Sequence, residues 1–191
     1  MSSKGDRSKK RILQEARKLF ATKGFSAVTM QDICHATALS RGGLYRHYGS
    51  TEEIFAAIIE QEQTEALHAL DRAKKAGISP QKILQSFLES RVEQLLDPTC
   101  SIDNATSEYA AVSAQGRAVL EKRARASVEI ITQMLELGKM QGSFSCPSCP
   151  NAALHILWLL EGMGKHSALL PLSKEEAYAQ LQLIWSLLNN R

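Results

Sequence analysis

The chain is predicted to be all-α. Three observations carry that expectation. Apolar residues recur at three- and four-residue spacing in nearly every segment, no segment sustains the alternation of a strand, and helix-opening and helix-closing signals punctuate the chain throughout. With 191 residues, 44% hydrophobic and 23% charged, the chain can bury a core as one domain, or as a small domain joined to a larger one.

Taken in order, Ile12, Ala16, Leu19 and Phe20 mark the apolar face of a first helix that Gly24 ends. Thr29-Met30-Gln31-Asp32 is a capping-box variant opening a short second helix, with Met30, Ile33 and Ala36 or Thr37 turned inward. Ser40 is the N-cap of a third short helix, in which Leu44 and Tyr48 are assigned to the core. Ser50-Thr51-Glu52-Glu53 is a full capping box that launches a long fourth helix through Ile54 and Ile58 towards Leu70. Gly77-Ile78-Ser79-Pro80 stops that helix and starts the next, with Pro80 at its first position. Ile83, Leu84, Phe87, Leu88, Val92, Leu95 and Leu96 form its wide apolar stripe. A loop is expected at 97–104, a short helix near 105–114 and a long one near 116–140. "QGSFSCPSCPN" at 141–151 is the clearest break. Two last helices are expected at 152–170 and 174–189, the second opened by a Ser173/Glu176 capping box.

Charge is unevenly divided. Residues 1–50 hold ten basic side chains against three acidic ones, a net +7, while the whole chain is only +3. A basic small unit joined to an acidic larger one is the asymmetry expected when one part meets a polyanion. No apolar run reaches membrane-spanning length and the N-terminus has no signal-peptide core, so a cytoplasmic location is expected, with no membrane partner. In that compartment the four cysteines are expected to be reduced.

The second and third helices are separated by Ala38-Leu39-Ser40, the dimension of a helix-turn-helix whose second helix enters the major groove of double-stranded DNA. Thr29 and Ser40 sit at helix N-termini, where hydroxyls reach phosphate oxygens. Arg41 stands at the start of the recognition helix, within reach of a guanine edge or a phosphate. Tyr45 and His47 add hydrogen-bonding groups, and Gly42 and Gly43 remove side chains that would hold the helix off the groove. No nucleophile–base pair or metal cluster argues for an enzyme, and no cofactor is implied.

Residues 10–55, through "ILQEARKLFATKGFSAVTMQDIC" and "LSRGGLYRHYGSTEEIF", resemble the N-terminal domain of the TetR (tetracycline-repressor) family of bacterial transcription regulators. The resemblance implies a three-helix DNA-binding domain, here 1–50, on a helical ligand-binding and dimerisation domain, here 51–191. It implies phosphate contacts from Thr29 and Ser40, and recognition contacts from Arg41, Gly42, Tyr45, Arg46 and His47. Two positions depart from the family pattern. Ala38 stands where the turn usually has Gly, and Thr51 stands where a phosphate-pairing Lys usually opens the fourth helix. The Thr51 hydroxyl remains able to hold a phosphate.

The same resemblance implies a homodimer on a near-palindromic operator, released by a small-molecule effector. Candidate lining residues are Phe87, Arg91, Tyr109, Met134, His155 and Trp158, a mainly apolar set suited to a hydrophobic or aromatic compound. Ala177, Leu181, Ile184 and Leu188 form an a/d-like dimer seam with Trp185 beside it, and Gly162 and Gly164 permit close helix approach. Cys146-Pro147-Ser148-Cys149 is read as a loop that contains thiols. A zinc site would need Cys34, Cys100, His155 or His166, none at zinc-motif spacing, while a thiol-based redox sensor is the alternative on the same scaffold.

Overall fold

The computed structural model describes residues 4–97, 101–166 and 170–189. Cys100, the side chain of His166 and the expected continuation of the eighth helix through 167–169 lie outside the described residues. Among the described residues the chain is helical, with α1 (Lys4–Lys23), α2 (Met30–Thr37), α3 (Arg41–Tyr45), α4 (Thr51–Lys75), α5 (Pro80–Leu96), α6 (Asp103–Val112), α7 (Ala114–Met140), α8 (Cys149–His166) and α9 (Lys174–Asn189). None of these helices is long and apolar enough to cross a membrane.

The helices form two compact units. The first gathers residues 1–62 and 98–122, so α6 and the opening turns of α4 and α7 pack with α1–α3. Its core joins Ile12, Ala16 and Phe20 of α1 to Ile33 of α2, Leu44 of α3, Ile54, Phe55 and Ile58 of α4, and Tyr109 of α6. Four aromatic rings knit it together. Phe20 meets Phe55 at 4.7 Å between centroids, and Tyr109 meets Phe25 at 4.7 Å and Phe55 at 5.3 Å. Each such pair contributes about 0.5–1.5 kcal/mol beyond area burial.

One contact in this unit spans a sequence separation of 82. The Ser26 amide donates to Glu108 Oε2 at 2.9 Å, which ties α6 to the turn after α1. That turn needs Gly24 twice over. Its φ is +79°, and a Cβ there would collide with the same Glu108 carboxylate.

The second unit, residues 63–97 and 123–191, is a bundle of the remaining helices. Leu84, Leu88 and Val92 of α5 pack with Ile131, Met134 and Leu135 of α7, Ala153, Ile156 and Leu160 of α8, and Ala177, Leu181, Ile184 and Leu188 of α9. The break read at 141–151 is shorter than expected. α8 begins at Cys149, with the Ser148 carbonyl accepting from Ala152 at 3.0 Å and Pro150 in the first turn, where its missing N–H costs nothing.

Candidate nucleic-acid interface

The interface is built on α2 and α3. Thr29 caps α2 in a complete capping box: its hydroxyl accepts from the Asp32 amide at 3.2 Å, and its own amide donates to Asp32 Oδ2 at 2.9 Å. The hydroxyl also donates to that carboxylate, at 2.5 Å, and Lys23 pairs with its other oxygen at 2.9 Å. The Thr29 hydroxyl, the Lys23 ammonium and the Thr29 amide hold the Asp32 carboxyl well below the usual carboxylate range. The start of α2 is thus capped from within, and a phosphate reaching Thr29 shares it with a carboxylate that Lys23 neutralises.

Ala38 then turns the chain. Its φ of 50° and ψ of 33° are left-handed, the one positive φ among the described non-glycine residues. The Leu39 amide donates back to the Cys34 carbonyl at 3.2 Å, which closes α2 and aims the next residues into α3.

α3 has only five residues, too few to persist alone, and Leu44 fixes it by full burial. Ser40 caps it, accepting from the Gly43 amide at 3.1 Å and leaving its hydroxyl proton to donate outward. The two glycines have different roles. A Cβ on Gly43 would press on Ser40 Oγ at 3.2 Å, so that glycine keeps room for its own cap. A Cβ on Gly42 would meet nothing within 4 Å, and Gly42 has no positive φ. The free chain gives no reason for a bare backbone there, although Gly costs a helix about 1 kcal/mol against Ala.

Arg41, Gly42, Tyr45 and Arg46 are all exposed, and His47 is half-buried just beyond the helix. Arg41 and Arg46 enter no ion pair among the described residues. Tyr48 packs partly against the core beside Leu44, and burial raises its phenol above the ordinary value. Beyond it, Ser50 caps α4 by accepting from the Glu53 amide at 3.2 Å, while Glu53 Oε2 takes the Gly49 amide at 2.7 Å. Thr51 therefore occupies the first helical position, half-buried beside two acidic residues.

The residues read as effector contacts are not gathered together. Met134 lies in the core of the second unit with Phe87 packed partly against it, and Arg91 is half-buried, donating to Gln94 Oε1 at 3.0 Å. Tyr109 is fully buried in the aromatic cluster of the first unit. Trp158 is 64% exposed and His155 is exposed, both on the outer side of α8.

The seam read on α9 is spent inside its own chain. Ala177, Leu181, Ile184 and Leu188 are at most 3% exposed, and Trp185 leans on the same core, 6.1 Å from Phe144 between ring centroids. A heptad marks an apolar face without saying which surface covers it. What this helix pair leaves open is Trp158, half-buried Gly162, where a Cβ would again meet nothing within 4 Å, Leu183 and Leu187. Sequence reading missed both leucines because a second, narrower stripe on an already apolar helix adds little periodic signal. It also missed Glu108, whose partner lies too far along the chain to leave a local pattern.

The family described as bacterial regulatory proteins, tetR family, matches residues 12–58, the stretch from the third turn of α1 to the third turn of α4. The uncharacterised HTH-type transcriptional regulator YfiR of Bacillus subtilis (strain 168) is 34% identical over 142 residues, 73% of this chain and 69% of that protein. The HTH-type transcriptional regulator UidR of Escherichia coli (strain K12) is 28% identical over 151 residues, 76% of this chain and 73% of its own. A tetR-family regulatory protein from Rhodococcus RHA1 superposes with a TM-score of 0.68 over 98% of both chains with 24% identity.

Proposed function

The chain belongs to the tetR family of bacterial regulatory proteins, helix-turn-helix transcription regulators and not enzymes, and from that premise we propose that it is a repressor released from its operator by a small molecule. Gly42 is the observation that carries the DNA half of this reading. A helical glycine with open space over its face and no positive φ is explained by a partner that comes too close to admit a side chain. The major-groove floor is such a partner, with Arg41, Tyr45, Arg46 and His47 around the contact and Ser40, Gly43, Thr51 and Thr29 along the phosphates.

The repressor is a homodimer in this reading, paired through Trp158, Gly162, Leu183 and Leu187 of α8 and α9, and its operator is near-palindromic. Phe87, Met134 and Arg91 are the effector contacts, and the mainly apolar surroundings of Phe87 and Met134 favour a hydrophobic compound. Effector binding acts by shifting the population between two spacings of the recognition helices. In this reading the protein works in the cytoplasm.

The test is a gel-shift with the duplex upstream of the protein's own gene, repeated across salt concentrations. Specific binding is expected, with an affinity that falls linearly on a log–log plot against salt as phosphate counterions are released. Failure to bind any such duplex, with salt-insensitive residual binding, would overturn it.

A further inference from the structure

The segment entering α8 holds two thiols that DNA recognition does not use. Cys146 and Cys149 are 5% and 4% exposed, neither is in a disulfide, and their sulfurs are 2.9 Å apart. That is within an ångström of the roughly 2.05 Å of an S–S bond. The approach is built rather than incidental. The Ser145 amide donates to the Leu188 carbonyl at 2.7 Å, fastening the segment to the end of α9. Lys139 Nζ donates to the Cys146 carbonyl at 3.0 Å, and the Phe144 ring lies directly over the bare backbone of Gly138. Cys149 is itself the first residue of α8.

Metal binding fits this geometry poorly. Two thiolates on one tetrahedral zinc, with bonds of about 2.3 Å, stand roughly 3.7 Å apart. No group of three or more candidate ligands gathers among the described residues. Burial, then the hydrogen bond with Cys146, pushes the Cys149 thiol up to about 11, so it is protonated at neutral pH.

We propose that Cys146 and Cys149 form a reversible thiol–disulfide site, giving the regulator an oxidant input through α8 and α9 that is separate from its effector. With a hydroperoxide as oxidant, one thiol sulfur attacks the peroxide oxygen, the O–O bond breaks, and a sulfenic acid and an alcohol (water, from hydrogen peroxide) result. The second sulfur attacks the sulfenic sulfur and expels water. Two S–H bonds are lost, one S–S bond forms, and the peroxide takes up the two electrons. A dithiol reductant reverses the change by exchange. The effect on DNA rests on the function proposed above, whereas the thiol chemistry does not.

The experiment treats the reduced full-length protein with hydrogen peroxide, blocks remaining thiols, and maps the digest by mass spectrometry. A Cys146–Cys149 link within one chain is expected, two hydrogens lighter, reversed by dithiothreitol, with helix content by circular dichroism unchanged. Cys146→Ser and Cys149→Ser should each abolish it, and the corresponding Ala variants serve if the Ser variants lose helicity. The affinity for the upstream duplex should change at least threefold on oxidation in the wild type and in neither variant. Two free thiols after treatment, separate oxidation of each to higher acids, or links only to other cysteines or between chains would overturn the site. A link that forms without moving the DNA affinity would overturn its role as an input. If the reduced protein binds no duplex, the DNA-binding reading fails instead, and the mass map still decides the site.

Discussion

Ala38 is the residue at which the backbone and the side chain disagree. Its left-handed conformation costs an L-residue roughly 1–2 kcal/mol, part of which glycine gives back through its freer unfolded chain. Ala38→Gly is therefore expected to stabilise the protein by about 0.5–1 kcal/mol in urea denaturation, and a loss of stability would contradict the strain. Asp32 makes a second claim at this scale. Its carboxyl is held below its ordinary value of 3.8, so the unfolded chain takes up the proton first as pH falls. The resulting stabilisation is fully present above about pH 4, and it fades as pH drops towards the lowered folded value. Thermal midpoints of wild type and Asp32→Ala should differ most near neutrality and converge in strong acid. Capping residues such as Thr29, Ser40, Ser50 and Ser79 were legible because each acts within three or four residues of itself. Glu108 was not, because its partner Ser26 is fixed only by the tertiary fold.

At the scale of the element, α9 shows what periodicity carries and what it leaves open. The spacing of Ala177, Leu181, Ile184 and Leu188 marked a helix with one strongly apolar face, and the helix is there. That face covers the chain's own core, and the face available to a second copy is the one bearing Leu183 and Leu187 at 57% and 55% exposure. The two faces predict different failures. Leu183→Glu with Leu187→Glu should leave a folded monomer by light scattering, whereas Leu181→Glu should unfold the second unit by placing a charge in its core. A double variant that remained dimeric would remove these leucines from the interface. The thiol pair follows the same pattern. The Cys-x-x-Cys spacing was visible in the sequence, while its burial and the close approach of its sulfurs depend on Phe144, Ser145 and Lys139 pinning the segment.

On the scale of the whole molecule, the division of charge and the helix order were both readable from composition and caps, and they anticipated an all-helical regulator whose first 50 residues are basic. Packing then drew residues 98–122 into the first unit, which no local signal announced, because the aromatic contacts of Phe25 and Phe55 with Tyr109 join distant parts of the chain. The effector residues were the least legible for a related reason: lining a pocket leaves no periodic trace. The central claim is that the open face of Gly42 is shaped by DNA. Gly42→Leu tests it most directly, with operator affinity, dimer state and thermal stability measured on the same preparation. The expected result is a folded dimer at least as stable as wild type, since leucine favours the helix by up to about 1 kcal/mol, with operator affinity reduced tenfold or more. Wild-type affinity in that variant would contradict it.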